Sequence, residues 1–299
     1  MNVLVSGAGG LLGRTLVPLL EANGMHVVRL VRRAPEGAGE ARWDAARGLH
    51  DSPSLPGIDA VVHLAGESIG GGLWTKTRMR RIRESRVAGT RALATSAAAL
   101  RPKPTAFVSA SAVGWYGNRG DEALDESSGP GRGFLAEVGR EWEAALEPGA
   151  AAGLRTASLR FGLMLSTAGG LLGKMLPAFR AGLGGPLGDG RQWMSWVTVD
   201  DAAAACLHIL RRSELAGAVN VAAPGTVTNA EFTRILARVL GRPAFFRVPA
   251  ALLRAISRDM ADEAFLASQR VTPRRLVETG FVFRDPDLER ALRRLLGRE

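Results

Sequence analysis

At 299 residues, 46% of them apolar, the chain can bury a sizeable core as one large domain or as a large domain with a smaller partner. Its single cysteine, Cys206, excludes a disulfide scaffold and a cysteine-ligated metal site. The net charge of +10 rests on 36 arginines and only 3 lysines, and it is uneven: residues 1–150 hold 18 basic and 16 acidic groups, residues 151–299 hold 21 and 13. That excess leaves open a nucleic acid, a phosphorylated small molecule or a bias of composition. No apolar run reaches the length of a membrane span, and an apolar strand begins within three residues of Met1, so no targeting peptide, no membrane and a cytoplasmic location are expected.

The first element is a buried-type strand, NVLVS, at 2–6. GAGGLLG follows, and a helix is predicted from Leu11 to Asn23, with Leu12, Leu16, Leu19 and Leu20 on one side and Gly24 as its stop. Strands are predicted at 26–32 and 58–66, with a short one at EARWD inside the irregular stretch 34–56. A long helix should run from Met79 to Leu100 and a strand from Thr105 to Ala110. One strand is expected over RTASLRFGLML from 155, then a loop-rich stretch running on through Gly185, Pro186, Gly188 and Gly190. Helices are predicted at 200–210, 229–240, 249–267 and 287–296, with a strand at GAVNVAA. Asp200 is the expected N-cap of the first of these. Strands alternating with helices at this spacing point to an α/β fold, a Rossmann-type doubly wound parallel sheet. No repeat or low-complexity linker separates the halves, so they should interleave around one cleft.

Gly7, Gly10 and Gly13 form GxxGxxG between the first strand and the first helix. One glycine allows the tight turn, one lets a pyrophosphate approach the backbone, and one lets helix and strand pack closely. Leu11 and Leu12 open the helix, where free N–H groups and the helix dipole favour a phosphate. At the end of the second strand, LVRRAPEG offers Arg32 and Arg33 where an NAD site has an acid for the ribose hydroxyl. Two guanidiniums suit a 2′-phosphate, so NADP(H) is expected over NAD. A tight packing turn and a solvated basic strand end are the plain alternatives.

HLAGE at 63–67, SRVAGTRAL at 85–93 and SASAVGWYG at 109–117 together resemble the extended short-chain dehydrogenase/reductase family, relatives of nucleotide-sugar epimerases. With FLAEVGREWE at 134–143, LGGPLGDGRQWMSWVTVDD at 183–201 and QRVTPRRLVETGF at 269–281, the chain resembles the epimerase-like, NADP-dependent oxidoreductases that carry a DUF1731-type C-terminal region. The resemblance implies a dinucleotide-binding domain over 1–165 and about 197–222. A substrate-binding region would comprise about 166–196 and 223–299, with a C-terminal helical segment from about 247. It also implies cofactor contacts at Leu64, Ala65, Gly66 and Ser109. Arg86 stands where the extended family commonly has asparagine before VxGT, and it would either meet a phosphate of the cofactor or cap a charged helix face. In the wider superfamily a serine steadies the reacting oxygen and the tyrosine of a YxxxK motif moves the proton. Here Ser111 matches the serine, but Phe134 and Val138 stand at the Tyr-Lys spacing and neither can carry a proton. The candidates for an unusual acid/base set are therefore Ser111, Tyr116 (the only tyrosine) and Glu137, with Glu141 behind them.

Glu67 beside the nicotinamide position, Arg160 in LRFG, Asn220 in VNVAAP, and Arg191, Gln192, Trp193 and Trp196 in GDGRQWMSW are candidate substrate contacts, with Pro224 a fixed turn. His63 reads as a core histidine, and Lys76, Arg80, Arg81 and Arg83 as a solvated helix face. The four histidines form no metal-binding pattern, so no metal is expected. The expected function is an NADP(H)-dependent oxidoreductase or epimerase acting on a small carbonyl or nucleotide-sugar-like substrate, anionic or phosphorylated, as a monomer or homodimer. The alternative is a non-catalytic NADPH-binding protein. No nucleic-acid partner is expected, since no recognition motif supports one.

Overall fold

Alternation of short apolar strands with amphipathic helices builds one large twisted sheet. The computed structural model describes residues 1–50, 55 and 57–298. Strands β1 (Asn2–Ser6), β2 (His26–Val31), β3 (Glu40–Asp44), β4 (Gly48–Leu49), β5 (Ala60–His63) and β6 (Ala106–Ala112) come first. They are followed by β7 (Ala123–Leu124), β8 (Arg155–Phe161), β9 (Leu163–Ser166), β10 (Trp193–Met194), β11 (Trp196–Thr198), β12 (Gly217–Val221), β13 (Val227–Thr228) and β14 (Arg270–Val271). The large sheet runs β12-β8-β6-β5-β1-β2-β3-β4 and is parallel throughout except for β4. From β1 the chain moves outward through β2 and β3, then returns to β5 on the other side of β1. That reversal opens a crevice at the carboxyl ends of β1 and β5.

Helices cover both faces. Within β1, Val3 and Val5 face one core with α1 (Gly13–Ala22), while Leu4 faces the opposite core with α2 (Lys76–Ala99). The helices α3 (Phe134–Ala144), α4 (Glu147–Ala151), α5 (Gly170–Arg180), α6 (Val199–Arg211) and α7 (Asn229–Leu240) follow in order. Around α5 and α7 a second core gathers Leu172, Leu176, Phe179, Trp196, Phe232 and Leu236. The C-terminal part comprises α8 (Ala250–Ile256), α9 (Arg258–Met260), a π-helical turn at Ala261–Phe265, α10 (Arg274–Glu278) and α11 (Leu288–Leu295). No helix among the described residues is long and apolar enough to cross a membrane.

Three local expectations are corrected. The strand from 155 divides at Gly162, because a Cβ there would lie 2.7 Å from the Ser195 carbonyl oxygen, and the chain bends to form β9 beside β11. Thr198, not Asp200, caps α6 by accepting the Asp201 N–H, and Asp200 sits in the first turn, 2.7 Å from Arg294. The loop-rich stretch contains a helix not read from sequence, α5, whose apolar side closes the second core.

Candidate active site

The glycine turn after β1 is shaped by contacts no side chain could share. A Cβ at Gly13 would fall 2.3 Å from the Gly7 carbonyl oxygen, and one at Gly7 (φ +71°) would fall 2.8 Å from Leu64. Helix, turn and β5 are thus locked at backbone contact distance, while Gly9 faces open space. The N–H groups of Leu11, Leu12 and Gly13 have no acceptor among the described residues, as in any first helical turn, and form a natural anion cradle. The Leu12 side chain is buried in the core beneath the turn. Beside it, Ser6 Oγ accepts the N–H groups of Leu64 and Ala65, at 3.1 and 3.3 Å, and lies 2.6 Å from His63 Nδ1. His63 is fully buried, its Nε2 has no partner among the described residues, and burial pushes its pKa down to about 4. The imidazole is neutral and holds the ends of β1 and β5 together.

The two arginines after β2 behave differently. Arg33 is engaged with Glu40 through two hydrogen bonds of 2.8 Å, and that pairing holds its pKa above the ordinary value. Arg32 is exposed and meets no carboxylate among the described residues.

Beyond the glycine turn lies a cleft of about 420 Å³ between the sheet's carboxyl edge, α3, α5 and the π-helical turn. Its walls are largely apolar, with Trp115, Trp142, Leu163, Met164, Leu171 and Phe265 prominent. Few polar side chains reach it. Arg86, 9% exposed, donates to the carbonyls of Glu67 and Ile82 and lies 5.0 Å from the Trp142 ring centre. Burial pulls its pKa down to about 10, although the Glu67 charge works the other way. Among the described residues no carboxylate lies within ion-pairing distance of this guanidinium. Lys174 on α5 donates to the Gly70 carbonyl across the cleft. Glu263, from the π-helical turn, is the one carboxylate in the lining among the described residues, and its oxygens accept the Phe134 and Leu135 N–H groups at 2.8 and 2.7 Å.

Behind Trp115 sits a second polar cluster, closed on itself. Arg160, 3% exposed, makes a two-point pair with Glu143 at 2.8 and 2.8 Å, and Ser111 donates to the same carboxylate at 2.7 Å. Burial works to lower the Arg160 pKa, yet Glu143 holds it above the ordinary value. The Tyr116 hydroxyl accepts from Arg160 at 3.0 Å and has the Asn220 side-chain oxygen and the Asp125 carbonyl at 2.8 and 2.9 Å. Tyr116 is fully buried, and burial raises its phenol pKa despite Arg160. The guanidinium of Arg160 stacks 3.4 Å from the centre of the Trp115 ring.

The candidates from sequence therefore separate. Ser111, Tyr116, Arg160 and Asn220 are brought together, but in this buried cluster rather than along the cleft. Glu137 faces outward, 3.6 Å from Arg83, and Glu141 pairs with Arg83 at 2.6 Å. Trp196 is fully buried and donates to the Gly225 carbonyl, so it belongs to the core. Gln192 is buried and ties Leu187 to Phe265, beside Trp193 in an adjoining cavity of about 80 Å³. Trp193 donates to Asp121 and carries Arg270 on its face, while Arg191 is exposed. The Glu67 carboxylate lies 3.4 Å from Arg78, and the Ser109 hydroxyl donates to the Ala110 carbonyl. Leu64 and Ala65 adjoin the glycine turn, and a Cβ at Gly66 would lie 3.6 Å from Arg86. Pro224 is exposed, as are Lys76, Arg80 and Arg81 on the outer face of α2. Sequence reasoning missed Glu143, Lys174 and Glu263. Glu143 lay inside a motif already singled out, whereas nothing in the pattern around Lys174 or Glu263 signals a cleft.

The switch-point crevice, the backbone-locked glycine turn and the open helix end define a dinucleotide-binding domain of the Rossmann type. The chain belongs to the NAD dependent epimerase/dehydratase family, whose model matches residues 3–222, and residues 248–295 match a domain of unknown function, DUF1731. It is 39% identical over 290 residues to the epimerase family protein MT2273 of Mycobacterium tuberculosis, covering 97% of this chain and 96% of that one. It is 37% identical to the human epimerase family protein SDR39U1, covering 99% of this chain and 100% of the relative. The crystal structure of human SDR39U1 (isoform 2) with NADPH superposes with a TM-score of 0.91 at 35% identity over the full length of both chains. A nucleoside-diphosphate sugar epimerase structure from Corynebacterium glutamicum superposes with a TM-score of 0.83 at 37% identity, covering all of this chain and 59% of that one.

Proposed function

We propose that the protein is an NADP(H)-dependent oxidoreductase or epimerase whose substrate occupies the cleft beside Trp115 and Trp142. The observation that carries this reading is Arg86. A buried guanidinium without a carboxylate hydrogen-bonded to it among the described residues, on the wall of a cleft whose Gly170 packs on Leu11 of the glycine turn, is a site with an unspent charge. The glycine turn fits a pyrophosphate, since a Cβ at Gly7 or Gly13 would collide with backbone while the first-turn N–H groups stay open. Bound there, the nicotinamide would give or take a hydride. Gly7, Gly10, Leu11, Leu12 and Gly13 would hold the phosphates. Leu64, Ala65, Gly66 and Ser109 would flank the cofactor, Arg86 would meet an oxygen of it, and Arg32 would meet the 2′-phosphate. Arg33 is committed to Glu40 and would contribute less.

Ser111 and Tyr116 would support the floor of the site through Arg160 and Trp115 instead of moving protons, and Glu137 is too far toward solvent to take part. Glu263 would take the proton of a substrate hydroxyl on oxidation and return it to the substrate oxygen on reduction. Its two backbone donors hold it at the cleft wall while leaving lone pairs free. Flat aromatic walls with few unspent polar groups suit a small ring-bearing carbonyl better than a nucleotide sugar, whose hydroxyls would go unpaired. The human relative's structure with NADPH supports the cofactor. The closed Ser111–Tyr116 cluster favours the second reading, an NADPH-binding protein without turnover.

Nicotinamide fluorescence titration tests the cofactor: NADPH should bind more tightly than NADH, and Arg32→Ala should reduce that preference about tenfold, more than Arg33→Ala does. No measurable NADPH binding would overturn the reading. NADPH oxidation over a panel of carbonyls, with product analysis to catch epimerisation, then separates the two readings. Loss of turnover in Glu263→Gln with NADPH affinity kept supports the enzyme, and no product with any substrate supports the binding protein.

A further inference from the structure

Part of the arginine excess of the second half lies in one stretch. Residues 241–258, GRPAFFRVPAALLRAISR, contain four arginines and no acid. The stretch RPAFFR at 242–247 runs beside 180–185, RAGLGG, joined by the Phe246 N–H to the Gly184 carbonyl at 3.1 Å and by the close approach of Gly182 to Pro243. Arg180 and Arg242, with Arg298, line an open hollow of about 500 Å³. Arg180, Arg242 and Arg247 meet no carboxylate among the described residues, whereas most arginines of α2 and α11 are paired with acids.

Large apolar side chains stand out of the same basic ground. Phe245 is 71% exposed, Phe246 49% and Leu183 60%, and the two phenyl rings lie 4.8 Å apart. The chain then enters α8, which has no buried residue and leaves Leu252 and Ile256 more than half exposed, one turn apart. Isolated exposed hydrophobic residues need no explanation, but several together, ringed by uncompensated arginines, mark an interaction surface.

We propose that this patch docks on an anionic phospholipid surface, with Phe245, Phe246 and Leu183 entering the interface and Arg180, Arg242 and Arg247 meeting lipid phosphates. The charge chooses the partner: apolar groups alone would suit any covered face, but arginines without acids repel a second copy of the same patch. Aliphatic Leu183 and two phenyl rings that shield each other favour acyl chains over bases, which need open ring faces for stacking. Since no described helix can span a bilayer, the attachment is to one leaflet, where basic and apolar contributions add.

Co-sedimentation of the whole protein with vesicles tests this. Vesicles of phosphatidylcholine and phosphatidylglycerol at 7:3 should pellet it at low salt, pure phosphatidylcholine vesicles should not, and high salt should release it. The doubly substituted variant F245E/F246E should bind at least tenfold more weakly, and R242E/R247E likewise, each retaining the wild-type circular dichroism and NADPH affinity. The substituted side chains are exposed, so folding is not at stake. Absence of binding to the anionic vesicles overturns the proposal, as does binding unaffected by either variant. A wild-type dimer in size-exclusion chromatography that F245E/F246E converts to monomer, without vesicle binding, would assign the face to a second copy. Binding of a single-stranded oligonucleotide that both variants weaken, without vesicle binding, would assign it to nucleic acid. Either result also overturns the proposal.

Discussion

The two polar clusters on either side of Trp115 have similar residues and opposite states. Behind the indole, Arg160, Glu143, Ser111, Tyr116 and Asn220 satisfy one another, so nothing is left to bind a ligand. In front of it, among the described residues, Arg86 hydrogen-bonds only to carbonyls and Glu263 only to backbone N–H groups, so both keep capacity for a guest. Composition alone does not separate a functional arginine from a structural one. What separates them is whether the charge has already been answered.

The largest effect should come from opening the closed cluster. Arg160→Met would leave Glu143 buried without its partner, at a cost of about 3–5 kcal/mol. Thermal unfolding should fall by roughly 10 °C. A melting temperature within 2 °C of wild type would show that the cluster is not the structural unit described above.

His63 provides a graded test between the two states, because one of its nitrogens is satisfied and the other is not. Its folded pKa of about 4 lies below the ordinary 6.5. The unfolded chain therefore takes up a proton that the folded protein refuses, and stability falls as pH drops from 6.5 to 4, by about 3 kcal/mol in total. Above pH 6.5 the contribution is constant. Urea midpoints measured across that window should fall less steeply in His63→Gln, and parallel slopes would remove His63 from the acid sensitivity.

On the open side, Arg86→Gln should weaken NADPH binding tenfold to a hundredfold, the range of a charge-assisted hydrogen bond. Stability should drop by less than about 1 kcal/mol, since no carboxylate is left stranded. Undiminished affinity together with a large loss of stability would move Arg86 to the closed class. The smallest effect belongs to Tyr116→Phe. Loss of its hydroxyl should cost about 1–2 kcal/mol of stability and leave NADPH oxidation within twofold of wild type. The opposite pattern would return Tyr116 to the chemistry.

Much of the fold was legible in the chain. NVLVS followed by GxxGxxG and an apolar helix encodes its own geometry, because glycine is needed wherever backbone meets backbone and apolar periodicity dictates which face is buried. The family resemblance likewise followed from contiguous motifs. Local pattern alone did not place the rest. Ser111, Tyr116, Glu137, Arg160, Asn220 and Trp196 have the chemistry of a site, and only their long-range partners show where each one sits. Tyr116 meets Asn220 across 104 residues of sequence, and Glu263 meets Phe134 across 129. No window along the chain spans such distances. The sequence by itself determined a dinucleotide-binding α/β fold and an excess of arginine. Tertiary structure alone decided which of those charges are neutralised, since pairing depends on long-range approach and the energy of a buried charge depends on what approaches it.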